Sequence, residues 1–183
     1  MSNKKKFIRL FKPSVGTEEI KAIKKIFQRS WIGYGQEVKN FEKSWSKYIG
    51  VKYSVGVTSC SAALHIALAS QKFKKKKKVL VPAMTFTATA AAALYCDLEP
   101  VFVDINEYDL NINFEDLKKK YSKDCVAVMP VHVGGQPCEM EKIIPWAKSK
   151  KLLVIEDCAH TAGGIYRGKT LGTWGDISCF SFE

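Results

Sequence analysis

Apolar positions along the chain follow two rhythms. Over residues 17–29 they recur every three or four residues, and Ile20, Ile23, Ile26 and Phe27 make one face, which predicts an amphipathic helix. Thr17 is its candidate cap. Glu18 and Glu19 fill the first turn, where carboxylates suit the positive end of the helix dipole. After the glycine-punctuated loop Trp31-Ile32-Gly33-Tyr34-Gly35-Gln36, a second helix carries Val38, Phe41, Trp45 and Tyr48 on one face. Both apolar faces are expected to pack into a core.

Beyond residue 52 the rhythm changes. Short apolar runs at 53–58, 79–82, 101–105, 125–131 and 152–157 predict strands, and the stretches 62–70, 88–96, 114–121 and 140–149 predict helices between them. The runs are apolar throughout, as strands covered on both faces must be. Alternating strands and helices predict a mostly parallel sheet in an α/β fold with helices on both sides. Residues 163–174 hold too many glycines for a helix and predict a hairpin, and 177–182 a final strand. The sequence stops just after the apolar run Cys179-Phe180-Ser181-Phe182, with no closing helix or polar tail, as expected of a domain cut before completion.

Composition narrows the picture. At 183 residues the chain fits one domain or slightly more. Its net charge of +11 raises nucleic acid or an anionic membrane as partners. The excess sits in lysine clusters at Lys4–Lys6, Lys72 with Lys74–Lys78, Lys118–Lys120, and Lys148 with Lys150 and Lys151. Three of these follow a predicted helix and precede a strand, where they complement helix C-terminal dipoles. No groove-reading or base-stacking motif accompanies them, so neither a nucleic-acid nor a membrane partner is expected. Residues 79–96 carry no charge, but Pro82 and the threonines favour a strand and a buried Ala-rich helix over a membrane span. The six cysteines show no C-x-x-C or zinc-ligand spacing, so no metal is expected. Most lie in apolar runs, which suits a reducing cytoplasm.

Candidate chemistry gathers where strands end. Thr58-Ser59-Cys60-Ser61-Ala62 joins a predicted strand to a helix, and a helix N-terminus with hydroxyls can hold an anion; an ordinary N-cap is the alternative. Ligands in open α/β sheets bind at the carboxyl ends of strands. There Asp157 can keep a cationic nitrogen protonated, with His160 three residues on, and Phe86 can stack on a planar ring. Glu156 and Asp157 are adjacent in a strand and point to opposite faces. His132 and His65 read as packing or backbone-bonded histidines. Gly163 to Thr170 matches the phosphate-binding pattern G-x-x-x-x-G-K-[ST]. That loop needs a strand leading in and a helix leading out, and Leu171-Gly172-Thr173-Trp174-Gly175 is a poor helix start. A hairpin is the better reading, and an ATP-binding module the unlikely alternative.

Taken together, these blocks resemble the DegT/StrS group of sugar-nucleotide aminotransferases, which use pyridoxal 5'-phosphate (PLP). The resemblance runs from Leu10-Phe11-Lys12-Pro13 through Ser59-Cys60-Ser61, Val81-Pro82-Ala83-Met84-Thr85-Phe86, Gly135-Gln136-Pro137 and Glu156-Asp157-Cys158-Ala159-His160 to Ser178-Cys179-Phe180-Ser181-Phe182. It implies the three-layer α/β/α large domain of PLP fold type I, with residues 1–52 as its N-terminal helical segment and 53–183 as an incomplete PLP-binding portion. It also implies roles: Cys60, Ser61 and Ser181 at the cofactor phosphate, Phe86 on the ring, Asp157 at the ring nitrogen and His160 by the 3-hydroxyl. Trp31 and Tyr34 are the candidate substrate residues, on a loop expected to face the partner's site in a homodimer. The group usually has Gly and Thr where Cys60 and Ser61 stand. Its S-F-x-x-x-K motif places the Schiff-base lysine just after Glu183, so the small C-terminal domain and that lysine are expected to be missing and the chain alone inactive. The implied reaction moves an amino group, usually from glutamate, to a nucleotide-linked keto sugar in polysaccharide or glycan biosynthesis. A same-fold sugar dehydratase or non-catalytic homologue is the alternative.

Overall fold

The computed structural model describes residues 12–74 and 77–182. Lys4–Lys6, Leu10, Phe11, part of the Lys74–Lys78 run and Glu183 lie outside them. The structure divides into two compact units, one ending at Asn40 and one beginning at Phe41.

In the first unit, helix α1 spans Thr17–Gln28. Its cap is Gly16 rather than Thr17: the Glu19 carboxylate accepts the Gly16 N–H at 2.6 Å and closes the first turn from inside. The apolar face does not pack as expected. Ile20, Ile23 and Phe27 are each more than half exposed, and no residue of α1 is buried. Amphipathic periodicity records that a face seeks cover, not what supplies it. Helix α2, Gln36–Ile49, begins in this unit and continues into the second.

The second unit contains a five-stranded sheet in the order β2-β1-β3-β4-β7, with every pairing parallel. The strands are β1 (Lys78–Pro82), β2 (Glu99–Val103), β3 (Cys125–Val128), β4 (Leu153–Cys158) and β7 (Ile177–Phe180). Helices α3 (Cys60–Ala69), α4 (Thr87–Tyr95), α5 (Phe114–Lys120) and α6 (Met140–Lys150) cover the faces. Alternation along the strands sorts the core. Val79, Val81, Ala127, Ile155 and Cys179 pack with α3 and α4 on one side; Leu80, Val128 and Val154 pack with α5 and α6 on the other. Asp157 therefore belongs to the α3/α4 side and Glu156 to the α5/α6 side. Of the described lysines in these clusters, Lys72 and Lys74 follow α3 and Lys78 opens β1, whereas Lys118–Lys120 form the last turn of α5 and Lys148 and Lys150 the last turn of α6, with only Lys151 beyond it. Among the described residues no helix is long and apolar enough to cross a membrane.

The expected strand at 53–58 does not form. Its polar groups are drawn to α2: the Gly56 N–H donates to Glu42 Oε1 at 2.8 Å and the Ser54 hydroxyl to the Glu42 carbonyl at 2.5 Å. An opening of about 550 Å3, lined by Tyr53, Val55, Ile177 and Cys179, lies between this segment and β7. A strand without a neighbouring edge has no ladder to join. Trp45 is held differently, by Phe180 and Phe182 at 5.0 and 4.7 Å between ring centres.

Residues 163–174 do form the hairpin, with β5 (Ile165–Tyr166) and β6 (Lys169–Thr170) antiparallel. Both central residues, Arg167 and Gly168, have positive φ, the mark of a type I′ turn. Among the described residues no helix follows Thr170, so the phosphate-loop reading is wrong. The chain then turns through Gly172 at φ +88°, where a Cβ would overlap the Phe180 ring. Gly172→Ala should destabilise the fold by about 1–3 kcal/mol, read as a lower chemical-denaturation midpoint at unchanged slope.

Candidate active site

Helix α3 starts immediately after Ser59, whose hydroxyl accepts the Ala62 N–H at 3.1 Å while its carbonyl takes that of Ala63. Ser59 is therefore the cap of α3. Ser61 is then left exposed on the first turn, where backbone N–H groups point along the axis toward an anion. Cys60, half-buried, packs against the core on the α3/α4 side. Ser181 follows β7 and lines the same cavity of about 330 Å3 as Thr58, Ser59, Cys60 and Ser178. That cavity does not extend to Phe86, Asp157 or His160. Of the candidate phosphate residues, Cys60 and Ser181 thus line a recess and Ser61 does not, while the candidate ring residue Phe86 stands in the open.

Phe86 precedes α4 and is 75% exposed, an uncovered ring at the carboxyl end of β1. Asp157 lies opposite on β4, only 4% exposed. Its Oδ2 accepts the Thr89 hydroxyl at 2.8 Å and its Oδ1 the Ala159 N–H at 3.2 Å. Among the described residues no lysine, arginine or histidine forms a salt bridge with it. Burial pushes the Asp157 carboxyl above its ordinary value, against the opposing pull of the Thr89 and Ala159 hydrogen bonds. A buried carboxylate in this state is short of a cation. His160 Nδ1 accepts the Gly134 N–H at 3.1 Å, which leaves the proton of a neutral ring on Nε2.

The partner residue Glu156 faces the other way and is fully buried. Oε1 accepts the Trp174 and Gly175 N–H groups at 2.7 and 2.6 Å; Oε2 accepts that of Gly172 at 3.0 Å and meets His132 Nε2 at 3.2 Å. His132 Nδ1 takes the Cys138 N–H, so Nε2 carries the proton that Glu156 receives. His132, Glu156 and Cys158 have donor atoms within 4.8 Å of one another, close enough to hold a metal ion. The His132 nitrogens and Glu156 oxygens are nevertheless engaged in these hydrogen bonds, and burial raises the Cys158 thiol pKa well above its ordinary value, which favours the neutral thiol. The cluster is a structural lock.

Trp31 and Tyr34, in the first unit, are both exposed, and the Trp31 indole N–H donates to the Tyr34 carbonyl at 3.1 Å.

The profile of the DegT/DnrJ/EryC1/StrS aminotransferase family matches residues 13–183. The chain belongs to this family. It is 36% identical over 178 residues to the GDP-perosamine synthase of Escherichia coli O157:H7, covering 97% of this chain and 49% of that one. Among solved structures, the sugar aminotransferase Spr1654 of Streptococcus pneumoniae superposes with a TM-score of 0.90 at 25% identity, over 96% of this chain and 48% of that one. That protein is known in apo, PLP and pyridoxamine phosphate forms. The GDP-4-keto-6-deoxymannose-3-dehydratase ColD superposes with a TM-score of 0.88 at 28% identity, over 93% and 46%. The chain spans about half the length of the curated relatives it matches.

Thr85, Thr89 and the anchoring by Glu156 escaped the sequence reading. A polar Thr89 within an Ala-rich helix, one turn past Phe86, was the available signal.

Proposed function

We propose that this chain forms the cofactor-binding part of a PLP-dependent aminotransferase that delivers an amino group, from an amino acid such as glutamate, to a keto sugar carried on a nucleotide. The observation that supports it is Asp157, a buried carboxylate lacking a protein cation at the carboxyl end of the sheet. The residues present fit the cofactor. The first turn of α3, with Cys60 and the exposed Ser61, and Ser181 would hold its phosphate, Phe86 would lie on its ring, Asp157 would face the ring nitrogen and His160 the 3-hydroxyl. When bound, PLP supplies an electron sink for carbanion chemistry. Asp157 holds a proton on the ring nitrogen, and the Phe86 face limits water on one side of the ring. His160 donates from Nε2 because Gly134 occupies Nδ1.

Relatives such as the E. coli GDP-perosamine synthase support the sugar-nucleotide class of acceptor, and the Trp31–Tyr34 loop is proposed to contact it across a homodimer. The likeness to ColD keeps dehydration as a second reading. In the proposed frame a lysine following Glu183 in the S-F-x-x-x-K register marks the aminotransferase and a histidine the dehydratase, so the coding sequence there discriminates them.

Binding of pyridoxamine 5'-phosphate, followed by fluorescence titration across pH, tests the cofactor assignment. Affinity is expected to weaken as pH falls through the raised Asp157 pKa, because the protonated carboxyl cannot pair with a cation. Binding that is absent at every pH, or flat across the acid range, sinks the assignment.

A further inference from the structure

Thr89 is completely buried on the first turn of α4, its N–H bonded to the Phe86 carbonyl. Its hydroxyl oxygen lies 2.8 Å from Asp157 Oδ2 and 2.7 Å from the Thr85 hydroxyl oxygen. One hydroxyl carries one proton. An ionised carboxylate can only accept, so with Asp157 charged the Thr89 proton goes to Oδ2, and the Thr89 lone pair then receives the Thr85 proton. The order is forced: Thr85 donates to Thr89, which donates to Asp157. A proton on Oδ2 would reverse both hydroxyls. Two donors in series polarise one another and favour the charged end state.

The surroundings offer few substitutes. On β4 and just after it, Asp157 is faced by His160; from the segment after β3, by His132; and from β7, by the buried Cys179 thiol, whose pKa burial raises. From α4 it meets Thr89. The Ala159 N–H on Oδ1 is a backbone donor present in every variant.

We propose that Thr85 and Thr89 are positioning residues, a one-way hydrogen-bond relay that holds Asp157 as an anion and fixes its rotamer toward the ring nitrogen of the cofactor. The relay rests on the PLP reading for its purpose, and on hydrogen-bond geometry alone for its existence. Neither threonine takes part in bond making.

Carbon-13 NMR titration of the Asp157 carboxyl in the ligand-free 183-residue chain isolates the relay from cofactor chemistry. Thr89→Val is expected to raise the Asp157 pKa by about one unit, a tenfold change in proton affinity. Thr85→Val should raise it by roughly half as much, since it removes only the second donor. Thr89→Ser, which keeps the hydroxyl, should leave it within about 0.3 units. A Thr85→Val protein with an unmoved pKa overturns the relay, as does a Thr89→Ser protein whose pKa rises by about one unit; these two variants decide the matter should Thr89→Val not fold. A second arm measures pyridoxamine 5'-phosphate affinity: Thr85→Val should move the acid limb of binding to higher pH by the same amount as the NMR shift. If the wild type fails to bind while the NMR shifts appear, the cofactor reading falls and the relay stands. If binding is normal and the shifts are absent, the relay alone is rejected.

Discussion

Asp157→Asn is expected to lower the affinity for pyridoxamine 5'-phosphate about 10- to 100-fold, the range a charged hydrogen bond of ~1.5–3 kcal/mol supplies. Asn keeps the shape and can still accept from Thr89, but its NH2 then meets the Ala159 N–H, so the loss reports charge together with one backbone hydrogen bond. The acid limb of the binding curve should vanish with the charge. Stability should move the other way. Burial raises the folded-state pKa of Asp157, so its contribution to stability is present below the ordinary carboxylate range and lost as pH rises through the raised value. Near neutral pH the ligand-free Asn variant should therefore melt above the wild type, and the bound wild type should recover the difference. An Asn variant that binds as the wild type does at all pH values would falsify the role assigned to Asp157.

The legible parts of the molecule were those where local pattern and tertiary demand coincide. Val79–Val81, Ala127–Val128 and Val154–Ile155 are apolar because both sheet faces are covered, and each is a strand. The places of Asp157 and Phe86 at the carboxyl ends of β4 and β1 were readable from the strand pattern, and the Ser59 cap from local sequence alone. The segment at 53–58 misled because strand propensity is a statement about a surface that must be met by a second edge, and Glu42 claims its Gly56 N–H instead. The α1 face misled for a related reason: periodicity locates an apolar stripe without naming its cover. Thr89 and Glu156 were invisible as partners because their bonds join residues 68 positions apart in one case and 16 to 24 in the other. A polar residue at a fully buried position predicts that a partner exists, and only the fold says which.

Glu156 shows how much can hang on such a residue. Glu156→Ala should cost about 3–5 kcal/mol, the scale on which removing one member of a buried charged network destabilises a fold. The side chain gathers the Gly172, Trp174 and Gly175 N–H groups and His132, all on the α5/α6 side of β4. Truncation strands four donors, of which the Gly172 N–H and the His132 Nε2–H are fully buried, and a domain of this size has only ~5–15 kcal/mol in all. Gln is not conservative here. Its carbonyl oxygen can serve Trp174 and Gly175, but its NH2 then confronts the Gly172 N–H and the His132 Nε2–H. His132 cannot shift its proton away, because Nδ1 is occupied by the Cys138 N–H. Glu156→Gln is accordingly expected to lose about 1–3 kcal/mol rather than be neutral. Guanidinium unfolding of both variants reads these losses, and a Glu156→Ala midpoint equal to the wild type would show that the network is incidental. The proposed function draws on the same bonds, since the 172–175 turn sets where β7 begins and hence where Ser181, the residue proposed at the cofactor phosphate, is placed.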